Sequence, residues 1–213
     1  TIEIRDFELR GYVDATIDQN IPYAMPRLGV NADLTQYSED ELHTQFELMR
    51  DSNIVWVRQF AYWDEIEPEE SQFDWQQWDT IINTIRDYPE LELVVVLMNT
   101  PKWAQINPPN QNLTETAPPQ TTETFANFAA TFATRYGDAV DYYQIWDEPN
   151  LDDAWGLLDP KPTDYVALLA DGYTAIHNAD PNATVISAAL APTTEISGQN
   201  MSDIRFLQAM YQR

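Results

Sequence analysis

The chain has no cysteine among its 213 residues. That excludes disulfides, thiolate metal sites and cysteine nucleophiles. Basic residues are scarce: 11 Lys and Arg face 35 Asp and Glu, a formal net charge of −24. Such a surface repels nucleic acid and anionic membranes, so neither is expected as a partner. Solubility, or adaptation to salt or acid, accounts for the charge. Only two histidines occur, His43 and His177, far apart and in no metal-ligand spacing. Surface or packing roles are expected for both. Asp152-Asp153 and Asp159 follow no EF-hand pattern, and neither a metal nor an organic cofactor is expected. No apolar run reaches membrane-spanning length. Thr1-Ile2-Glu3-Ile4-Arg5 lacks the build of a signal peptide. The missing cysteines leave the compartment open, since many secreted bacterial-type enzymes do without disulfides. A secreted or cell-surface location is favoured over a cytoplasmic one. Asn112, Asn182 and Asn200 each begin a glycosylation-type triplet.

Hydrophobic residues, by contrast, make up 44% of the chain and aromatics 12%, with seven Trp. That supports a sizeable core. Five apolar runs read as buried strands: Leu28 to Asn31, Ile54 to Phe60, Leu93 to Met98, Val140 to Trp146 and Thr184 to Leu190. The third is continuously apolar rather than alternating, as strands of parallel sheets are when both faces are covered. Helical patterns lie between them. Ser38-Glu39-Asp40-Glu41 is a capping box ahead of Leu42, Phe46 and Met49. Trp75, Trp78, Ile82 and Ile85 form a second stripe, most simply core. Phe125, Phe128, Ala129, Phe132 and Tyr136, closed by Gly137, form a third. Tyr165, Leu168, Leu169 and Ile176 form a fourth, and Ile204, Leu207 and Tyr211 begin a fifth.

Strand–helix alternation repeated five times requires a parallel sheet with right-handed crossovers. A doubly wound open sheet and a (β/α)₈ barrel both fit. No glycine-rich phosphate loop follows any strand, whereas polar and aromatic residues gather after the strands, where barrel enzymes place their chemistry. The expected fold is therefore α/β, of the (β/α)₈ TIM-barrel type, with about five β/α units in residues 27–213. A closed barrel has eight strands and about 250 residues, so the expectation is a fragment. Residues 1–26, with Ile4, Phe7, Leu9 and Tyr12, are expected to be an extension packing on the barrel. Pro108-Pro109 and Pro118-Pro119 bracket a polar loop in lid or cleft-wall position.

The most informative stretch is Tyr142-Tyr143-Gln144-Ile145-Trp146-Asp147-Glu148-Pro149-Asn150, an apolar strand ending on an acid. Proline disfavours the α region for its predecessor, which predicts an extended Glu148 at the strand end. A carboxyl there, beside aromatics, has its pKa raised toward neutrality and its direction held, as a proton donor requires.

Three motifs in order resemble the clan A retaining glycoside hydrolases, most closely the family 39, 5 and 42 type. Trp63-Asp64-Glu65-Ile66-Glu67-Pro68, followed by Phe73-Asp74-Trp75 and Asp79, is similar to W-x-x-I-E-P-x-x-G-x-F-D-W after the second barrel strand. Thr100-Pro101-Lys102-Trp103-Ala104 is similar to T-P-x-W-A, and Ile145 to Asn150 to the W-N-E-P-N end of strand four. The resemblance implies hydrolysis of β-glycosidic bonds by retention, with carbohydrate as substrate. Glu148 matches the acid/base, and Arg58 the arginine that orients the nucleophile. Trp63 and Trp103 would wall the cleft and Asn31 would bond sugar. Asp147, Asn150 and Trp155 are further substrate-binding candidates.

Asp147 stands where the family has asparagine, and an ionised aspartate cannot donate to a sugar hydroxyl. Either 2-hydroxyl recognition differs or Asp147 serves the scaffold. Ser71 replaces the motif's glycine. Glu67 is expected to anchor its loop. The implied nucleophile belongs to strand seven, and Glu195 is not a candidate for it. Glu148 paired structurally with Arg58 is the plain alternative for the site. A non-catalytic carbohydrate-binding barrel or pseudoenzyme is the alternative for the whole. Self-association, or docking with the rest of the barrel, is a further expectation for an incomplete barrel.

Overall fold

A computed structural model describes residues 28–106, 112–195, 197 and 199–212. The expected N-terminal extension and Pro108-Pro109 lie outside the described residues. Five strands form one parallel sheet: β1 (Leu28–Asn31), β2 (Ile54–Tyr62), β3 (Glu92–Met98), β4 (Tyr142–Ile145) and β5 (Thr184–Ser187). Among the described residues six α-helices lie between and after them, two of them between β2 and β3: α1 (Glu39–Asp51), α2 (Trp63–Ile66), α3 (Gln76–Ile85), α4 (Thr122–Tyr136), α5 (Pro162–Ala179) and α6 (Asp203–Tyr211). Strand order is β1-β2-β3-β4-β5. That order separates the two architectures the sequence left open. A doubly wound sheet reverses order at a switch point. Here each described strand lies beside its chain neighbour, the order of consecutive barrel strands.

Alternation along β2 sorts its side chains. Val57, Gln59 and Ala61 are buried, while Trp56, Arg58, Phe60 and Tyr62 occupy the opposite face. Register pairs Asn31 with Arg58, Arg58 with Val94, and Val94 with Tyr142. Arg58 thus sits mid-strand, since β2 runs on to Tyr62. Beneath the sheet the helices close an aromatic core. Trp63 stacks on Phe128 at 5.3 Å, and Phe132 meets Trp78 edge-on at 4.9 Å. The second helical stripe is core at Trp78, Ile82 and Ile85, with Trp75 packed at its edge. Each such ring removes 150–250 Å² from water, so this layer dominates the stability of the domain.

Local signals decide the helix ends. Ser38 and Glu41 form the reciprocal capping box that opens α1. Gly137 closes α4 for a reason other than a left-handed cap: its φ is −62°. A Cβ there would stand 2.7 Å from the Ala133 carbonyl oxygen, so close approach demands the glycine. The last helix departs from the expected stripe. Ile204, Leu207 and Tyr211 are exposed, and Phe206 is buried against Tyr165 at 6.0 Å. Phe206 carries the one wholly apolar ring of this helix, and its burial turns α6 to face α5.

Ser71, at the family's glycine position, has φ +64°. A non-glycine residue there is strained by about 1 kcal/mol. Its backbone N–H donates to Glu67 Oε1 at 2.8 Å, a bond that glycine retains. Ser71→Gly is therefore expected to stabilise the protein by about 0.5 kcal/mol after the entropy cost of glycine. Thermal unfolding measures this, and a lower melting temperature would show that the serine side chain outweighs the strain.

Candidate active site

Beyond Ile145 the chain leaves the sheet and turns twice. Trp146 has φ +67° and Glu148 φ +48°. Glu148 is thus three residues past β4 and not extended. Proline forbids only the right-handed α region to its predecessor, and tertiary bonds select the left-handed one. The Trp146 N–H donates to the Leu97 carbonyl at 2.9 Å, and the Glu148 N–H to the Ala189 carbonyl at 2.9 Å. Asn150, fully buried, donates to the carbonyls of Ala191 (2.9 Å) and Met201 (3.0 Å) and accepts from the Ala191 N–H at 2.9 Å. Tyr165 donates its hydroxyl to the Ile145 carbonyl at 3.1 Å and accepts from the Ala188 N–H. The strain at two non-glycine residues persists because these bonds over-determine the loop.

That loop presents Asp147 and Glu148 to a cleft of about 460 Å³ at the C-terminal ends of β2, β3 and β4. Phe60 and Tyr62 form one wall, their rings parallel with centroids 5.7 Å apart. Asp64, Glu65, Asn99 and Glu115 also line it. Arg58 lies over the Phe60 ring at 4.7 Å and bonds Asp147 Oδ1 at 2.6 Å. Its Nε donates to Gln144 Oε1 at 3.1 Å and its Nη1 to Asn31 Oδ1 at 3.2 Å. Gln144 in turn donates to Asp147 Oδ1 at 3.0 Å and to the Trp146 carbonyl at 2.7 Å. Asp147, not Glu148, is therefore the partner of Arg58. No hydrogen bond to the Glu148 carboxyl occurs among the described residues. Burial raises its pKa above the ordinary glutamate value, the charges of Asp147 and Asp153 raise it further, and Arg58 opposes them. A raised carboxyl pKa means that the folded state holds the proton more firmly. The group thus adds stability below the unfolded pKa, lost as pH rises through the folded one.

Three expected substrate contacts are corrected. Trp63 is 0% exposed, with its indole N–H donating to Glu67 Oε2 at 2.7 Å. Trp155 is buried against Trp146. Asn150 is spent on backbone groups, as above. Trp63 and Asn150 are scaffold because their polar atoms are consumed inside the fold, and Trp155 because its ring is packed in the core. Trp103 is half-buried, donates to the Glu67 carbonyl at 3.0 Å, and borders a different hollow beside Lys102 and Gln105. Glu67 anchors its loop as expected. Glu195 is exposed, held by Ser197 and Asn200, and outside the cleft. His43 meets the Tyr88 hydroxyl at 2.9 Å, and His177 packs on Tyr173. Among the described residues no three acids or histidines are grouped to hold a metal ion. Gln144, Phe60, Tyr62 and Asn99 were not picked out from the sequence. A buried glutamine inside Tyr-Tyr-Gln-Ile was the signal for the first.

Asn150→Ala leaves three buried backbone groups unpaired and is expected to cost about 2–4 kcal/mol, read by denaturant unfolding. Asp147→Asn removes a charge beside Glu148 and is expected to lower the Glu148 pKa, measured by carboxyl carbon NMR. An unchanged value would exclude Asp147 as a cause.

The family model Glyco_hydro_42, described as beta-galactosidase, matches residues 33–102. No curated protein matches the chain. Solved structures do. A family 39 glycoside hydrolase from Bacteroides cellulosilyticus WH2 is 20% identical, with TM-score 0.59 over 76% of this chain and 31% of that one. A monomeric beta-xylosidase from Caulobacter crescentus CB15 is 20% identical, with TM-score 0.58 over 75% of this chain and 35% of that one. An exo-beta-1,4-mannosidase from Opitutaceae bacterium strain TAV5 is 18% identical, with TM-score 0.56 over 75% and 31%. The chain spans about a third of the length of these structures. In fold, and in sequence over residues 33–102, it is similar to the clan A glycoside hydrolase barrels of families 39, 5 and 42.

Proposed function

We propose that this chain forms part of a retaining glycoside hydrolase acting on β-linked oligo- or polysaccharides, with Glu148 as acid/base. The observation that carries the reading is the placement of Glu148: its carboxyl lines the cleft, carries a raised pKa, and is free of hydrogen bonds among the described residues. A carboxyl whose pKa is raised by burial gives up a proton to an atom in the cleft more readily near neutral pH than an ordinary glutamate, and can take one back. In the first step Glu148 protonates the leaving glycosidic oxygen while a second carboxylate attacks the anomeric carbon. In the next, Glu148 takes a proton from the water that opens the glycosyl ester. The attacking carboxylate is assigned to a later barrel strand of the whole protein. Phe60 and Tyr62 offer flat apolar surface for a sugar face, and Arg58 with Gln144 holds Asp147 in place beside the acid. Xylosidase and mannosidase activities belong to the neighbours named above; they support carbohydrate as the substrate class.

One observation favours a second reading, a carbohydrate-binding barrel without catalysis. The guanidinium assigned to orienting a nucleophile is engaged by Asp147 at 2.6 Å. Glu148→Gln in the whole protein separates the two readings. Turnover of aryl and alkyl glycosides with poor leaving groups is expected to fall about 10²–10⁴-fold, with azide restoring cleavage of activated substrates. Unchanged turnover would remove Glu148 from the mechanism; binding without turnover in the parent protein would establish the second reading.

A further inference from the structure

Part of the cleft lining has a composition the reaction does not use. Asn99 follows β3 with φ +66° and is 7% exposed. Its Nδ2 donates to Asp64 Oδ1 at 3.1 Å. That bond orients the amide, because a carboxylate accepts from the nitrogen end and not the oxygen end. Asn99 Oδ1 is left buried without a partner, and Asn99 is one of the residues that line the cleft. A buried unsatisfied acceptor costs about 1–3 kcal/mol and calls for a donor. Asp64 and Glu115 line the same cleft, and their charges interact. The Glu115 carbonyl accepts from the Thr100 N–H at 2.8 Å, which fixes its loop to the residue after Asn99. No Lys or Arg lines this cleft among the described residues, and Arg58 is spent on Asp147. Among the described residues this part of the lining therefore shows carboxylates and an unpartnered acceptor, with no cation of its own.

We propose that Asp64, Asn99 Oδ1 and Glu115 form a subsite for the ammonium group of an amino sugar. An ammonium has three N–H donors and one positive charge. It satisfies the orphan acceptor and lies between two carboxylates, where charge-assisted hydrogen bonds are strongest. A hydroxyl supplies one donor and leaves both charges unbalanced. An N-acetylated amine brings a neutral amide whose carbonyl faces acceptors only. Burial raises the Asp64 pKa first, and Glu115 raises it further, the direction that a bound cation reverses. The inference rests on reading the cleft as a carbohydrate site, and it names the sugar class.

Calorimetric titration of the whole protein with the β-1,4-linked glucosamine disaccharide, its N-acetylated counterpart and cellobiose tests the subsite. The glucosamine disaccharide is expected to bind about tenfold more tightly than either at low ionic strength, the preference shrinking as salt screens it. Glu115→Gln, at an exposed position, and Asp64→Asn are each expected to reduce the preference, with circular dichroism confirming the fold. Equal or weaker binding of the glucosamine sugar overturns the proposal, as does a preference that survives both substitutions. The preference is a binding result. If it appears with no hydrolysis in the whole protein, the hydrolase reading fails and the subsite stands. Hydrolysis without the preference has the opposite meaning.

Discussion

The arrangement of the cleft depends on how one loop is held: the seven residues that follow β4 are bonded to β3, to the segment after β5, and through Tyr165 to α5. Every interaction of Glu148 with its surroundings descends from that attachment. Two left-handed residues, Trp146 and Glu148, alternate with residues of opposite orientation, so indole and carboxyl leave the backbone in different directions. The indole goes down into the aromatic core, where Ala154 accepts its N–H at 2.8 Å. The carboxyl goes up to the cleft. Neither conformation is favoured locally, and the bonds across strands outweigh the local cost of about 1–3 kcal/mol each.

Electrostatics follow from the same geometry. Asp147 is drawn to Arg58 and Gln144, which leaves Glu148 as the carboxyl without a hydrogen bond among the described residues. Two adjacent acids thereby acquire different environments, one ion-paired and one desolvated, and such divergence is what separates proton donors from structural carboxylates. The aromatic pair Phe60 and Tyr62 comes from alternation along β2, which places Arg58 on the same face. A single strand thus supplies both apolar wall and guanidinium.

Much of the architecture was legible in sequence because its causes are local. Hydrophobic runs located all five strands, and the Ser38–Glu41 box located the start of α1. Boundaries were less legible. The apolar run Val140 to Trp146 continues beyond the paired residues of β4, since burial of Trp146 comes from α4 and Trp155 rather than from a ladder. In α6 the apolar residues at positions 204, 207 and 211 mimic a core stripe, but packing against Tyr165 chose Phe206.

Residue order alone determined the strand–helix alternation, the acidic balance and the placement of Glu148 and Asp147 side by side, because these depend on identity and spacing. Tertiary structure decided which side chains reach the cleft. Trp63, Trp155 and Asn150 carry the chemistry of sugar contacts, yet the polar atoms of Trp63 and Asn150 are satisfied inside the fold and the Trp155 ring is packed in the core, and Gln144 and Asn99, silent in the sequence, acquired roles through partners 86 and 35 residues away. Whether a polar atom is consumed or left free is a property of its neighbours in space, and chain order does not record those neighbours.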